Sequence, residues 1–193
     1  MALTPSTMLD IGTAAPDFSL PDATSGTSVS LADFEGASAL LVMFICNHCP
    51  YVIHIREDFG PVADDFAAQG LKVVAINSND LENYPQDGPP NMKALAAELG
   101  WSFPFLMDED QSVAKAYQAA CTPDFFLFDA DKKLVYRGQW DDSSPGNNNP
   151  VNGSSIRAAI QALLASSSVP EKQVPAMGCN IKWKAGNAPS YFG

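Results

Sequence analysis

The sequence predicts an α/β fold in which a mixed central sheet is flanked by helices. Three observations carry that expectation. The run Leu40-Leu41-Val42-Met43-Phe44-Ile45 has the length of a buried strand and is too short to span a bilayer. After Cys49 the apolar residues Val52, Ile55, Phe59, Val62 and Phe66 recur at three- and four-residue steps, which is one face of a helix. Strand and helix patterns then alternate until a hairpin and a helix close the chain, so the sheet is part parallel and part antiparallel.

Residues 1–10 show no periodicity and read as a loose lead. Two prolines and the alternation of Phe18 with Leu20 make residues 12–22 an extended edge segment. Ser28 to Leu31 reads as a short strand, followed by one helical turn closed by Gly36. The buried strand and the long helix come next, and Pro61 is expected to kink that helix by withholding an amide from the Glu57 carbonyl. Gly70 ends it and Leu71 to Ile76 is a second buried strand. Residues 77–91, rich in Asn, Asp, Pro and Gly, are too long for an ordinary connection and form a candidate substrate-facing loop.

Further on, Met92 to Leu99 and Ser112 to Ala120 read as helices, with Phe103 to Met107 extended between them. Asp124 to Asp129 and Lys133 to Gly138 pair as a hairpin. Ser154 is placed to cap a helix over Ser155 to Leu164. The organisation expected is a domain over residues 1–166 and a C-terminal tail, residues 167–193, packed on it through Ile181 and Trp183.

A chain of 193 residues is long enough for a real core. Its net charge of −11 excludes nucleic-acid backbones and anionic membrane surfaces as partners, since both need a basic face. The first basic residue is Arg56, so no charged leader precedes an apolar segment, and a cytoplasmic location is expected. Four cysteines in a chain this size do not make a disulfide scaffold; in a reducing compartment they point to catalysis or metal binding.

Cys46 and Cys49 lie in Cys46-Asn47-His48-Cys49-Pro50, where the strand hands over to the helix, with Pro50 in the first turn. Open α/β sheets place their sites at that end of a central strand. The unpaired amides and dipole of a helix start favour an anion by roughly 0.3–2 kcal/mol. The thiolate of Cys46 is the expected anion, helped by a bond from Cys49 and by a positive His48. The pair also has the readings of buried structural cysteines or half a zinc site, but between a strand and a helix the C-x-x-C spacing points to redox work.

These elements, with these residues, resemble the thioredoxin-like fold, and more narrowly the redoxin branch related to alkyl hydroperoxide reductase and thiol-specific antioxidant proteins. The likeness rests on Ala15-Pro16-Asp17-Phe18-Ser19-Leu20-Pro21-Asp22 with Ser30-Leu31-Ala32-Asp33-Phe34-Glu35-Gly36, on the stretch from Phe44 to Val52, and on Cys121-Thr122-Pro123-Asp124 leading to Leu134-Val135-Tyr136-Arg137-Gly138. It covers about residues 12–164. The ending from Gly178 to Lys184 resembles that of a thioredoxin-like subgroup with the same Cys-Asn-His-Cys-Pro-Tyr-Val motif. The resemblance implies that Pro123 is cis and packs on the Cys46–Cys49 disulfide. It also implies that the Thr122 backbone binds a substrate chain by strand-like hydrogen bonds, and that His48 stands where related oxidants and isomerases carry histidine. Cys121 and Cys179 are candidate accessory thiols, and the tail is expected to bring Cys179 toward Cys121 or the active site.

Thiol–disulfide exchange is the leading function. Cys46, taken as the more exposed sulfur, attacks a disulfide-bearing protein or a small disulfide, and Cys49 resolves the intermediate. No cofactor beyond that redox disulfide and no metal are expected, and the sequence is silent on oligomeric state. Two alternatives stand beside it. A peroxiredoxin-type peroxidase would use Cys49, but the hydroxyl slot of that family's motif falls on Cys46 and its proline slot on Val42. A copper or zinc carrier would draw on the cysteines and His48, but no second C-x-x-C supplies metal spacing.

Overall fold

The computed structural model describes residues 3–192. A strand appears where a loose lead is expected: β1 (Leu3–Pro5) finds its partner near the far end of the chain. β2 (Ser19–Pro21) and β3 (Ser28–Ser30) form the antiparallel edge hairpin. A 3-10 turn, Leu31–Phe34, leads past Gly36 into the core.

β4 (Ala39–Phe44) is buried at every position, as a strand covered on both faces must be. α1 (Pro50–Ile55) follows, then a 3-10 turn at Arg56–Asp58, then α2 (Phe59–Ala67). The break falls where Pro61 cannot bond the Glu57 carbonyl, and Val52, Ile55, Phe59, Val62 and Phe66 all face the core. β5 (Leu71–Asn77) starts after Gly70, whose φ of +95° and contact with Ser38 leave no room for a side chain.

Next come α3 (Pro89–Glu98), β6 (Phe105–Met107), α4 (Ser112–Ala116) and β7 (Cys121–Thr122). β8 (Asp124–Asp129) and β9 (Leu134–Arg137) make the expected hairpin, and α5 (Ser154–Leu164) and β10 (Met177–Asn180) complete the chain. α4 is shorter than its pattern suggests. The cap of α5 is Gly153 at φ +60°, not Ser154, and its amide donates to Asp141 at 2.8 Å.

The main sheet runs β6-β5-β4-β8-β9. β4, β5 and β6 are parallel, while β8 is antiparallel to both β4 and β9. Alternate residues of β4 feed two cores. Leu41 and Met43 join the α1, α2 and α5 side, whereas Leu40, Val42 and Phe44 join Tyr117, Phe126 and Phe128. A second sheet, β1-β10-β7, is antiparallel throughout and ties the N-terminal lead and the C-terminal tail to the segment before Pro123. Among the described residues no helix is long and apolar enough to cross a membrane.

Asp124, the first residue of β8, is fully buried and burial pushes its carboxyl up to about 7. Its Oδ2 accepts the Ala120 amide at 3.2 Å, while Oδ1 has no partner. A raised carboxyl stabilises the fold below its unfolded value and loses that contribution as pH rises through the folded one. The cost once ionised is at most ~4 kcal/mol. Asp124→Asn is therefore expected to raise the urea midpoint at pH 8 and to give no gain at pH 4. A gain equal at both pH values would remove ionisation from the explanation.

Candidate active site

The chain leaves β4 through Ile45 and Cys46, bends at Asn47 and His48, and enters α1 with Cys49 as the N-cap. The two grounds for giving Cys46 the attack do not hold here. Both sulfurs are buried, Cys46 at 1% exposure and Cys49 at 0%. The helix start belongs to Cys49: beyond β4 the chain stays buried through Ile45 and Cys46 without turning helical, and the helix begins only at Pro50. The Val52 amide closes no cap hydrogen bond in strict geometry, yet lies close enough to the Cys49 sulfur to favour its anion.

Two sets of contacts oppose each other at Cys49. The Thr122 carbonyl lies 3.0 Å from its sulfur, a distance at which a thiol donates and a thiolate is repelled. Against it stand the Cys46 thiol, the Cys179 thiol and the amides of Val52 and Cys179. Four donors outweigh one acceptor, and the Cys49 thiol is held down to about 4, first by the Cys46 hydrogen bond, with burial opposing. Cys46 moves the other way. The hydrogen bond it shares with Cys49, burial, and the Asp87 carboxylate all push it well above the ordinary thiol range. Within the pair these contacts favour the anion on Cys49 over Cys46.

Asp87 is the site residue that sequence reasoning missed. Its side chain is fully buried and grips the motif from below. Oδ1 accepts the amides of Asn47 at 2.9 Å and His48 at 3.3 Å; Oδ2 accepts from His48 Nδ1 at 2.6 Å and from Asn79 at 2.9 Å. A carboxylate only accepts, so the His48 proton is on Nδ1. The stretch expected to face substrate also braces the motif: Asn77, Ser78, Asn79, Asp80 and Asp87 are buried, while Glu82, Asn83, Pro85 and Gln86 are exposed. His48 is not a bare positive charge beside Cys46: it is paired with a carboxylate and stacks on Tyr84 at 5.3 Å. Cys46, His48 and Asp87 bring a sulfur, a nitrogen and an oxygen within 4.8 Å of one another; the metal-carrier reading of the sequence had drawn on Cys46 and His48 but not on Asp87.

The Thr122–Pro123 peptide is cis. Thr122 touches both cysteines, its hydroxyl 3.5 Å from the Cys46 sulfur and its carbonyl on Cys49. The backbone edge expected to receive a substrate chain is occupied, because β10 pairs there with Cys179 opposite Thr122 and Asn180 opposite Cys121. Cys121 is buried with its thiol 3.4 Å from the Pro123 carbonyl, and burial pushes it well up; nothing prepares it to ionise. A cavity of about 270 Å³ opens beside Pro123, lined by Tyr51, His54, Trp140 and Met177, and neither Cys46 nor Cys49 lines it.

The AhpC/TSA family model matches residues 11–137. A crystal structure of an uncharacterised conserved protein from Geobacillus kaustophilus is 54% identical, covers 95% of this chain and 97% of its own, and superposes with a TM-score of 0.93. A Mycobacterium tuberculosis protein provisionally named a peroxiredoxin is 33% identical over 117 residues, 61% of this chain and 69% of its own. The thiol-disulfide oxidoreductase ResA of Geobacillus thermodenitrificans is 26% identical over 133 residues, 68% of this chain and 70% of its own. The thioredoxin domain of a Bacteroides vulgatus thiol-disulfide oxidoreductase shares the fold, with a TM-score of 0.57 at 22% identity. The protein has the thioredoxin-like fold and belongs to the AhpC/TSA family.

Proposed function

We propose that the protein is a thiol–disulfide oxidoreductase in which Cys49 is the attacking sulfur and Cys46 the resolving one. The observation that carries this reading is the position of Cys49 at the N-cap of α1, ringed by sulfur and amide donors. The Cys49 thiolate attacks a substrate disulfide RSSR, forming Cys49–S–S–R and releasing RS⁻. Cys46 then gives up its proton, attacks the Cys49 sulfur and expels the second RS⁻, which takes that proton. The products are the Cys46–Cys49 disulfide and two reduced thiols, so the redox group is the cysteine pair itself.

A sulfur that ionises at about 4 is fully thiolate at neutral pH, but it is also a weaker nucleophile for its charge and a better leaving group. The balance favours the reduced state of Cys49, so its disulfide is expected to be oxidising. Equilibration with glutathione buffers, followed by alkylation and mass measurement, tests this. A Cys46–Cys49 disulfide with a potential less negative than roughly −270 mV, the value for thioredoxin, is the expected result. No such disulfide at any poise overturns the reading.

A peroxidase using Cys49 is the second reading, favoured by the Cys49-Pro50 step at the helix start and consistent with the mycobacterial relative's name. It lacks the hydroxyl of the peroxide-orienting motif, since that slot is Cys46. Turnover with hydrogen peroxide and a dithiol that outpaces turnover with a disulfide would move the assignment there.

A further inference from the structure

β7 is the short edge immediately before cis-Pro123, and an extended chain laid along such an edge binds through its backbone. That place is filled by the protein's own β10, antiparallel, with Cys179 opposite Thr122. The fit is close. A Cβ on Gly178 would lie 2.1 Å from the Thr122 carbonyl oxygen, so only glycine lets the strand settle there. The approach of the tail is equally tight at Gly138, where a Cβ would lie 2.4 Å from the Val174 carbonyl, and the Gln139 amide donates to that carbonyl at 2.8 Å.

The strand is fixed on its other edge and beyond its end as well. β1 pairs along its far side, Leu3 opposite Cys179. Past its end, the Ile181 amide donates to the Ala120 carbonyl at 3.1 Å and the Lys182 amide to Asn79 at 2.9 Å. The consequence is chemical: both the thiol and the amide of Cys179 reach the Cys49 sulfur, and Cys46, Cys49 and Cys179 share one core.

We infer that β10 is a built-in substrate strand, and that Cys179 stands where a client cysteine would, as the disulfide partner of Cys49 in cis. This rests on the exchange reading above. The step needs no further reactant. The Cys179 thiol loses its proton and attacks the Cys49 sulfur of the Cys46–Cys49 disulfide. The Cys49–Cys179 bond forms, the Cys46–Cys49 bond breaks, and the Cys46 thiolate leaves and takes the proton. The same attack on Cys49–S–S–R releases RS⁻ instead. Because the backbone edge is already filled, the external oxidant is a low-molecular-weight disulfide rather than an extended polypeptide.

The test is oxidation of the full chain with glutathione disulfide, alkylation, and non-reducing peptide mapping. Wild type is expected to give both Cys46–Cys49 and Cys49–Cys179 linkages, and Cys46→Ser the second alone. Gly178→Ala, which pushes β10 off Thr122, is expected to slow Cys49–Cys179 formation by roughly a hundredfold, since a displacement of about 1 Å costs that much, while Cys46–Cys49 still forms. Stable glutathione on Cys49 of Cys46→Ser, with Cys179 alkylated, overturns the inference and leaves the exchange reading standing. Cys49 alkylated in wild type and every variant, with no disulfide to it, sinks the exchange reading and the inference together. Equal Cys49–Cys179 yield and rate in Gly178→Ala would overturn the role given to the strand.

Discussion

At pH 5 Cys49→Ser is expected to react with an aromatic disulfide roughly a thousandfold more slowly than wild type, and Cys46→Ser to lose no more than roughly tenfold. At that pH an ordinary thiol is almost wholly protonated, whereas a sulfur held down to about 4 remains thiolate. Cys46, Cys121 and Cys179 are all pushed up from the ordinary range, so none can replace Cys49 in acid. Serine at position 46 keeps a hydroxyl to donate to the Cys49 sulfur; alanine does not. Cys46→Ala should therefore raise the acid limb of the rate profile toward neutral pH, while Cys46→Ser holds it near that of wild type. The sign follows from ionisation: the reactive form is present above the folded value and is lost as pH falls through it. Stopped-flow release of the aromatic thiol across pH 3 to 9 reads all three variants. A Cys49→Ser protein that keeps the acid reactivity, with Cys46→Ser inert, would return the attack to Cys46.

The proposal of Cys49 over Cys46 turns on a helix boundary, and with it on what was legible in the residues and what was not. β4, the common face of α1 and α2, the interruption upstream of Pro61 and the β8–β9 hairpin all announce themselves by local period and by proline chemistry. The cysteine pair at the end of the central strand follows from the same pattern. The three residues separating Cys46 from the true helix start do not, because an apolar run and a proline bracket a boundary without fixing it. β1 and β10 were illegible for a different reason. Each is short, β10 carries a glycine at its centre, and each is stabilised by a partner from the opposite end of the chain. No window of neighbouring residues contains that information. The approach of Cys179 to the active site was expected from the tail's apolar residues, but not the strand pairing that sets it against Cys49.

Asp87→Ala is expected to cost roughly 3–5 kcal/mol of stability, the range for removing one member of a buried, fully bonded charged group. Nothing in a chain with 22 acidic residues singles this one out, yet its side chain is fully buried and takes four hydrogen bonds, three from the motif itself. Alanine leaves the Asn47 and His48 amides, the His48 ring and the Asn79 amide without an acceptor, and each buried orphan costs about 1–3 kcal/mol unless water reaches it. Asp87→Asn separates the two halves of the role. Its remaining oxygen can serve the backbone amides, but its NH₂ then faces two other donors, His48 Nδ1 and the Asn79 amide. An intermediate loss of about 1–3 kcal/mol is expected. His48→Ala, in either background, reports the coupling as a double-mutant cycle. The measurement is urea unfolding of the reduced protein at pH 7, with the m-value checked for constancy. An Asp87→Ala loss within about 0.5 kcal/mol, the scale of an ordinary surface change, would mean that this carboxylate does not hold the motif in place.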